Sequence, residues 1–143
     1  MNVKIRKAIE NDYQQVCSLV NNELGYPSVK LNDLTARMKM MDQDDKYNTF
    51  VALLGDAVVG FVGIVQMLAF EIDCGYMRII AFAVSENYQN KGIGTFLIQY
   101  VENFANSIGI TSFALNSGFT RLDAHAFYEH NGFVKKSYGF TKK

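Results

Sequence analysis

The sequence predicts one α/β domain of 143 residues in which helices flank a mixed, mostly antiparallel sheet. Two observations carry this prediction. Two apolar segments are joined by Gly55-Asp56, a dipeptide suited to a tight hairpin, and hairpin strands are antiparallel. Further along, a strand, a strongly amphipathic helix and another strand follow one another, which predicts parallel strands joined by a right-handed crossover. We therefore expect both kinds of pairing in one sheet, with about four helices around it.

The first elements are a strand and an amphipathic helix. Residues 3–9 alternate apolar and basic side chains, as a half-buried strand does. Asn11 or Asp12 is a suitable cap for the helix, which Gly25-Tyr26-Pro27 would end. Cys17 falls on its apolar side and is expected in the core. The residues predicted on that side are Tyr13, Val16, Cys17, Val20 and Leu24.

The middle of the chain predicts a shorter helix and then a hairpin. We expect the helix near residues 31–41 and an exposed, charged loop over 42–46. The hairpin begins with a strand over residues 50–54. Its second strand starts at Ala57, in an uncharged stretch that reaches Phe70 and is rich in Val and Phe. This stretch is shorter than the roughly 20 residues that a membrane helix needs.

The second half contains the clearest helical periodicity of the chain. In order, the predicted elements are a strand (78–84), a helix (92–107), a strand (111–115), a helix (122–131) and a last strand (133–140). Gly132 stands where a left-handed helix end is expected. The apolar face predicted for the first of these helices comprises Ile93, Phe96, Leu97, Tyr100, Val101, Phe104 and Ile108.

Composition and charge exclude several classes of protein. Lys and Arg together number 14, as do Asp and Glu, so the basic surface that nucleic-acid binding favours is not expected. Cys17 and Cys74 are too few for a disulfide framework, which fits a reducing compartment. Two His and two Cys without paired spacing predict no metal site. The N-terminus lacks a signal-peptide pattern, so we expect a cytoplasmic protein without a membrane segment.

The segment with the strongest chemical signal joins a buried strand to the most amphipathic helix. Gly92 and Gly94 let a phosphate approach the backbone because they carry no Cβ. Free N–H groups and the helix dipole favour an anion there, and Lys91 adds a positive charge. Lys91 precedes the glycine, unlike in a Walker loop, and Leu97 stands where a dinucleotide fold has its third glycine. The spacing alone therefore leaves a diphosphate site and an ordinary helix start open.

Two short segments together resemble the motifs of one protein family. Gln89-Asn90-Lys91-Gly92-Ile93-Gly94 resembles the Q/R-x-x-G-x-G/A motif of the GNAT superfamily of N-acetyltransferases. Phe127-Tyr128-Glu129-His130-Asn131-Gly132-Phe133 resembles that family's later F/L-Y-E-x-x-G-F motif. The segments Asn116-Ser117-Gly118, Arg121 and Ala124-His125 resemble a variant among small bacterial members. The predicted order of elements is similar to that of the family over nearly the whole chain.

The resemblance implies acetyl-CoA as co-substrate and gives it a site. The backbone of the glycine turn would hold the CoA pyrophosphate. The preceding strand would pair with the pantetheine arm and splay from the strand at 111–115, which leaves a gap for the thioester. Tyr128 would protonate the departing thiolate, a role that suits a phenol with a pKa of about 10. The implied CoA-binding residues are Phe82, Ala83, Val84, Gln89, Asn90, Lys91, Gly92, Ile93, Gly94 and Thr95.

Three further residues keep two interpretations each. Tyr128 alternatively packs beside its helix with its hydroxyl bonded to backbone. Asn116 and Arg121 either line the acceptor site or brace the turn before the last helix. Arg121 stands seven residues before Tyr128, where many family members have asparagine, so a role of that asparagine does not carry over.

The general base and the acceptor pocket are less well defined. Glu71, Asp73 and His125 are candidates for the base, beside a water chain. On a strand the two carboxylates would share a face, and alternatively they solvate a hairpin end. Acidic walls would favour a cationic amine, and the alternative is a solvated loop. The acidic residues concerned are Asp42, Asp44, Asp45, Glu71 and Asp73.

The sequence thus predicts an acetyl-CoA-dependent N-acetyltransferase that acts on a primary amine of a small molecule or peptide. Transfer would occur by direct attack in a ternary complex. A non-catalytic acyl-CoA-binding or regulatory module on the same fold is the alternative, and a nucleotide-binding domain is a third hypothesis. The resemblance also implies that a homodimer is possible, whereas no nucleic-acid or membrane partner is expected.

Overall fold

The computed structural model describes residues 2–143, which form one five-stranded sheet with helices against it. In chain order, the elements are β1 (Val3–Lys7), α1 (Tyr13–Asn22), α2 (Leu31–Asp42), β2 (Tyr47–Leu54), β3 (Ala57–Met67), β4 (Tyr76–Val84), α3 (Ile93–Ser107), β5 (Phe113–Ala114) and α4 (Leu122–His130). The strands lie in the sheet in chain order. All neighbours are antiparallel except β4 and β5, which are parallel. The predicted mixed α/β fold is therefore confirmed.

Each face of the sheet is covered by its own layer of helices. On one side, named the α1 face, α1 and α2 pack over Val51 and Phe61. On the other, named the α3 face, α3 packs over Phe50 and Val62. Phe50 and Val51 are neighbours in β2 and enter opposite layers, because side chains alternate along a strand. Cys17 is buried in the α1 layer, as predicted.

Strand β4 is paired on both sides only at its beginning. Its pairing with β5 covers Met77 and Arg78 alone. Just beyond, Ile80 is an extra residue in the register with β3, and a β-bulge of this kind bends a strand. From Ile79 to Val84, the outer edge of β4 has no partner strand within residues 2–143. A gap thus opens between the two parallel strands, as the resemblance implied.

Asp12 precedes α1, but its carboxylate does not cap that helix. Oδ2 accepts the Ile9 N–H at 2.8 Å and pairs with Arg6 Nη1 at 2.6 Å. Burial alone would raise the pKa of Asp12, but the bonds from Arg6 and from Ile9 N–H outweigh it, and the pKa lies below the ordinary 3.8. The side chain therefore fixes the entry of the chain into α1 through the residues before it.

The prediction of a strand over residues 133–140 is wrong. This segment is irregular, and Val134, Tyr138 and Phe140 are exposed. A further strand at this edge would have to pair with β5, which comprises only Phe113–Ala114 instead of the predicted residues 111–115. So short an edge offers almost no backbone ladder to extend.

The buried side of α3 differs from the predicted one at its margins. Ile98 and Ala105 are buried, whereas Phe96 and Ile108 are each 44% exposed. The sheet packs against a ridge of residues four apart that begins at Ile93, and the predicted side was centred beside this ridge. Within residues 2–143, none of the helices combines the length and the apolar composition that a membrane crossing requires.

Candidate functional site

The chain leaves β4 through a 3-10 turn (Glu86–Tyr88) and then enters α3. Asn90 and Gly92 both have left-handed backbone conformations, with φ of +60° and +85°. A Cβ built on Gly92 would meet nothing within 4 Å, so the backbone conformation rather than lack of space favours glycine there. Lys91 is exposed, and its Nζ lies 5.9 Å from the centre of the Tyr88 ring.

Consecutive N–H groups of this turn lack a hydrogen-bond acceptor within residues 2–143. They run from Asn90 to Thr95 and are named the cradle, and the next N–H, that of Phe96, donates to Gly92 O at 3.0 Å. A left-handed residue followed by a right-handed one, as at Gly92 and Ile93, directs successive N–H groups toward one anion. The helix dipole adds to this attraction. The cradle therefore suits a phosphate or diphosphate.

The side chain of Gln89 braces the cradle. Its Nε2 donates to Val84 O at 2.9 Å and to Glu23 Oε2 at 3.4 Å. Glu23, just after α1, also accepts the Glu86 N–H on Oε1 at 3.0 Å. Because the N–H of Gln89 is itself bonded to Glu86 O, the unpaired donors begin only at Asn90.

The unpaired edge of β4 leads directly to the cradle. Ala83 is buried in the α1 layer, whereas Phe82 and Val84 pack in the α3 layer. The side chains thus point above and below the sheet, and backbone groups of the strand face the gap. A partner in extended conformation can therefore pair with this edge as a neighbouring strand would.

Gly94 is held by packing between α3 and α4. A Cβ built there would lie 2.9 Å from two ring carbons of Phe127 and 3.3 Å from Phe82. The two rings stack on each other with centroids 5.4 Å apart. Glycine at this second position of the motif is thus favoured by the packing of α3 against α4, and not only by the approach of a phosphate.

Tyr128 lies beside these rings on α4. Its ring meets Phe82, Phe127 and Phe133 edge to face, at centroid distances of 6.1, 5.5 and 5.8 Å. The hydroxyl has no hydrogen-bond partner within residues 2–143 and is not sealed from solvent, so the alternative of a bond to backbone is not observed. Burial raises the pKa of Tyr128 above 10.0, which the positive charge of Arg121 only partly offsets. The hydroxyl therefore keeps its proton at neutral pH.

A second group of polar side chains lies at the opposite end of β4. Arg78 follows Met77, which is buried in the α3 layer, so Arg78 belongs to the α1 face. Its Nη2 donates to Oδ1 of Asn116, which follows β5. The neighbouring Ser117 Oγ is buried and has no hydrogen-bond partner in the described chain. Arg121 is exposed at the start of α4.

The candidates for the general base lie on different elements. His125 Nε2 donates to Gly118 O at 2.8 Å, because a carbonyl oxygen only accepts, and only Nδ1 remains free to accept a proton. Glu71 and Asp73 lie in the loop between β3 and β4 rather than on a strand. Both are exposed, and neither has an ion pair or side-chain hydrogen bond within residues 2–143. These surroundings favour the alternative in which the two carboxylates are solvated at a hairpin end.

The remaining acidic residues lie at the end of α2 and in the loop before β2. Asp42, at the end of α2, is 3.6 Å from Lys7 Nζ, and Asp44 Oδ1 accepts the Lys46 N–H at 3.0 Å. A groove of about 440 Å³ beside them is lined by residues of β1, α1, α2 and the turn between. These contacts favour the solvated-loop interpretation over an acidic acceptor pocket.

Two polar residues of this region, Arg78 and Glu23, were not identified as site residues from the sequence. Arg78 had a visible signal, since it is the one charged residue in the apolar sequence of β4. Glu23 had none, because its partners lie 63 and 66 residues further along the chain.

Comparisons with known proteins show which family this chain matches. The model of the acetyltransferase (GNAT) family matches residues 10–133. Aminoalkylphosphonate N-acetyltransferase of Salmonella typhimurium is 26% identical over 91% of this chain and 81% of its own. A GNAT family acetyltransferase structure from Staphylococcus aureus is 30% identical, with a TM-score of 0.84, over 100% of this chain and 99% of its own. A transcriptional regulator structure from Bacillus halodurans is 25% identical, with a TM-score of 0.88, over 99% of both chains.

Proposed function

This chain belongs to the acetyltransferase (GNAT) family, and on that premise we propose that it transfers an acetyl group from acetyl-CoA to a primary amine of a small molecule or peptide. The observation that best supports this proposal is the arrangement of groups along β4. An unpaired strand edge connects the cradle at one end with Tyr128 and the gap between the strands. We propose that the chain works as one domain, in the cytoplasm, and that a homodimer forms.

The residues present fit acetyl-CoA. The unpaired N–H groups of the cradle match the charge of a pyrophosphate. The free edge at Phe82, Ala83 and Val84 supplies backbone partners for the amides of a pantetheine arm. When bound, acetyl-CoA supplies an activated acyl group as a thioester.

In the proposed reaction, Tyr128 holds the proton that the sulfur receives. The amine nitrogen bonds to the acyl carbon as the carbon–sulfur bond breaks, and the proton of Tyr128 Oη passes to the sulfur. The amine releases its own proton to water, and solvent restores the proton on Oη. Holding both reactants in place supplies up to about 7–11 kcal/mol. A positioned proton donor adds about 10²–10⁴-fold in rate.

The test measures thiol release from acetyl-CoA across polyamines, aminoglycosides, amino acids and peptides with free amines. We expect release with one acceptor class, well above hydrolysis. In Tyr128→Phe, kcat should fall about 10²–10⁴-fold with unchanged CoA affinity. Because burial raises the pKa of Tyr128 above 10.0, loss of its proton should not lower the rate below pH 10. Unchanged turnover in this variant would remove Tyr128 from the reaction.

A non-catalytic acyl-CoA-binding module is the second candidate. It is favoured by the similarity to the Bacillus halodurans structure, whose name is that of a transcriptional regulator. Acetyl-CoA binding without thiol release for any amine would support the module. Tighter binding of ATP or NAD than of acetyl-CoA would instead support a nucleotide-binding domain.

A further inference from the structure

We propose that the acceptor amine carries an anionic group and that Arg78 binds this group. The inference rests on the proposed function, because it concerns the acceptor of the same transfer. The anion is a phosphate, phosphonate, sulfonate or carboxylate, all of which pair with a guanidinium. This preference for an anionic acceptor is the opposite of the preference for a cationic amine that acidic walls would produce.

The position of Arg78 fits contact with the acceptor rather than with CoA phosphates. It is the last residue of β4 that pairs with β5, so the gap opens directly beyond it. About 20 Å of strand separates it from Val84 and the cradle, at roughly 3.3 Å per residue. The cradle already has the donors for the pyrophosphate. A cation at the far end therefore faces the region where the acceptor must meet the thioester.

The guanidinium of Arg78 lacks a compensating negative charge. No carboxylate within residues 2–143 lies within 4.0 Å of it, whereas Arg6 pairs with Asp12. Its partner is the neutral side-chain oxygen of Asn116, which holds the guanidinium in place without neutralising its charge. A half-buried arginine held in this way has several N–H donors left for a second oxygen acceptor.

Two further residues between β5 and α4 bear on this proposal. Ser117 Oγ is buried without a hydrogen-bond partner in the described chain, and a buried hydroxyl left unsatisfied is unfavourable. An oxygen-rich ligand that reaches this hydroxyl would satisfy it. Arg121 also lacks a carboxylate within 4.0 Å in the described chain, and its charge acts on Tyr128. The segment between β5 and α4 therefore carries a second arginine without a carboxylate partner in the described chain.

The test uses acceptors that share one aminoethyl group and differ in the group attached to it. Phosphoethanolamine, taurine and β-alanine carry phosphate, sulfonate and carboxylate, while ethanolamine is neutral and ethylenediamine is cationic. We expect kcat/KM to be about tenfold or more higher for at least one anionic compound than for ethanolamine. In Arg78→Gln, that compound should lose about 30-fold and ethanolamine less than threefold. Which anion is preferred distinguishes the tetrahedral groups from carboxylate.

Asn116→Asp is the matched control against a purely structural role. The new carboxylate keeps the contact with Arg78 but neutralises its charge. If Arg78 binds the acceptor anion, this variant loses the anionic acceptors and keeps ethanolamine. If Arg78 only braces β5 against β4, Asn116→Asp leaves every acceptor unchanged, and the inference is overturned. Arg78→Lys should restore part of the preference lost in Arg78→Gln.

Binding measurements separate this inference from the proposed function. Phosphoethanolamine and ethanolamine are titrated calorimetrically into the CoA-bound protein, wild type and Arg78→Gln. Anion binding that depends on Arg78, without thiol release, supports the inference while the transferase proposal fails. Thiol release from neutral amines, without anionic preference or binding, overturns the inference and leaves the transferase standing.

Discussion

The two ends of β4 offer different chemistry to a ligand. Near Val84, this chemistry is carried by the backbone, because the N–H groups from Asn90 to Thr95 have no acceptor in the described part of the chain. The side chains of Gln89 and Phe82 there brace the turn or pack. Near Arg78, it is carried by side chains, and the backbone is paired on both sides. A backbone site needs only a conformation, so short motifs reveal it. A side-chain site depends on which residues the fold brings together.

The largest expected effect breaks the backbone end. Gly92→Asp and Gly92→Asn both tolerate the left-handed conformation and differ only in charge. We expect Gly92→Asp to weaken CoA binding about 100-fold, because its carboxylate would repel the pyrophosphate at short range. Gly92→Asn should remain within about fivefold of wild type. Calorimetric titration with CoA checks both, and equal losses in the two variants would contradict the cradle.

Features that depend on local sequence could be predicted, whereas features that depend on contacts between distant elements could not. The hairpin at Gly55-Asp56 and the start of α3 were predicted correctly because each depends on a local pattern, whereas the role of Tyr128 stays a prediction from the family resemblance. The strand at 133–140 and the exposure of Phe96 were predicted wrongly, because each depends on what another element offers. Arg78 and Asn116 lie 38 residues apart and meet only through the β4–β5 pairing.

The next effect concerns the packing that closes the gap. In Gly94→Ala, the new methyl group would lie 2.9 Å from Phe127, and overpacking of this kind lowers the free energy of unfolding by about 1–3 kcal/mol. We expect a loss of about 2 kcal/mol in chemical denaturation, partly restored by adding Phe127→Leu. Gly118→Ala is the control, since its Cβ would make an ordinary 3.8 Å contact with Arg121. No loss in Gly94→Ala would mean that α4 yields easily at this point.

A smaller effect sharpens the contrast between two arginines. Arg6 is compensated by Asp12, so Asp12→Asn should lower the free energy of unfolding by about 1–2 kcal/mol at pH 7 without changing acceptor preference. The pKa of Asp12 is lowered in the folded state, so its contribution is complete above pH 3.8 and is lost as the pH falls through the folded value. The stability difference between the two proteins should therefore shrink below pH 3.8. A difference independent of pH would contradict the ion pair.

The smallest effect tests whether side chains also matter at the backbone end. Glu23 joins α1 to the cradle through the Glu86 N–H and Gln89 Nε2. Glu23→Ala removes both bonds, and because exposed hydrogen bonds contribute about 1 kcal/mol, we expect CoA affinity to fall about fivefold. Glu23→Gln keeps an oxygen for the Glu86 N–H and removes a negative charge near the pyrophosphate site, so its affinity should equal or exceed that of wild type. If both variants bind CoA as wild type does, the conformation at Asn90 and Gly92 is enough to hold the cradle. If both weaken equally, the charge of Glu23 itself supports the turn, and the two ends of β4 are less different than their contacts indicate.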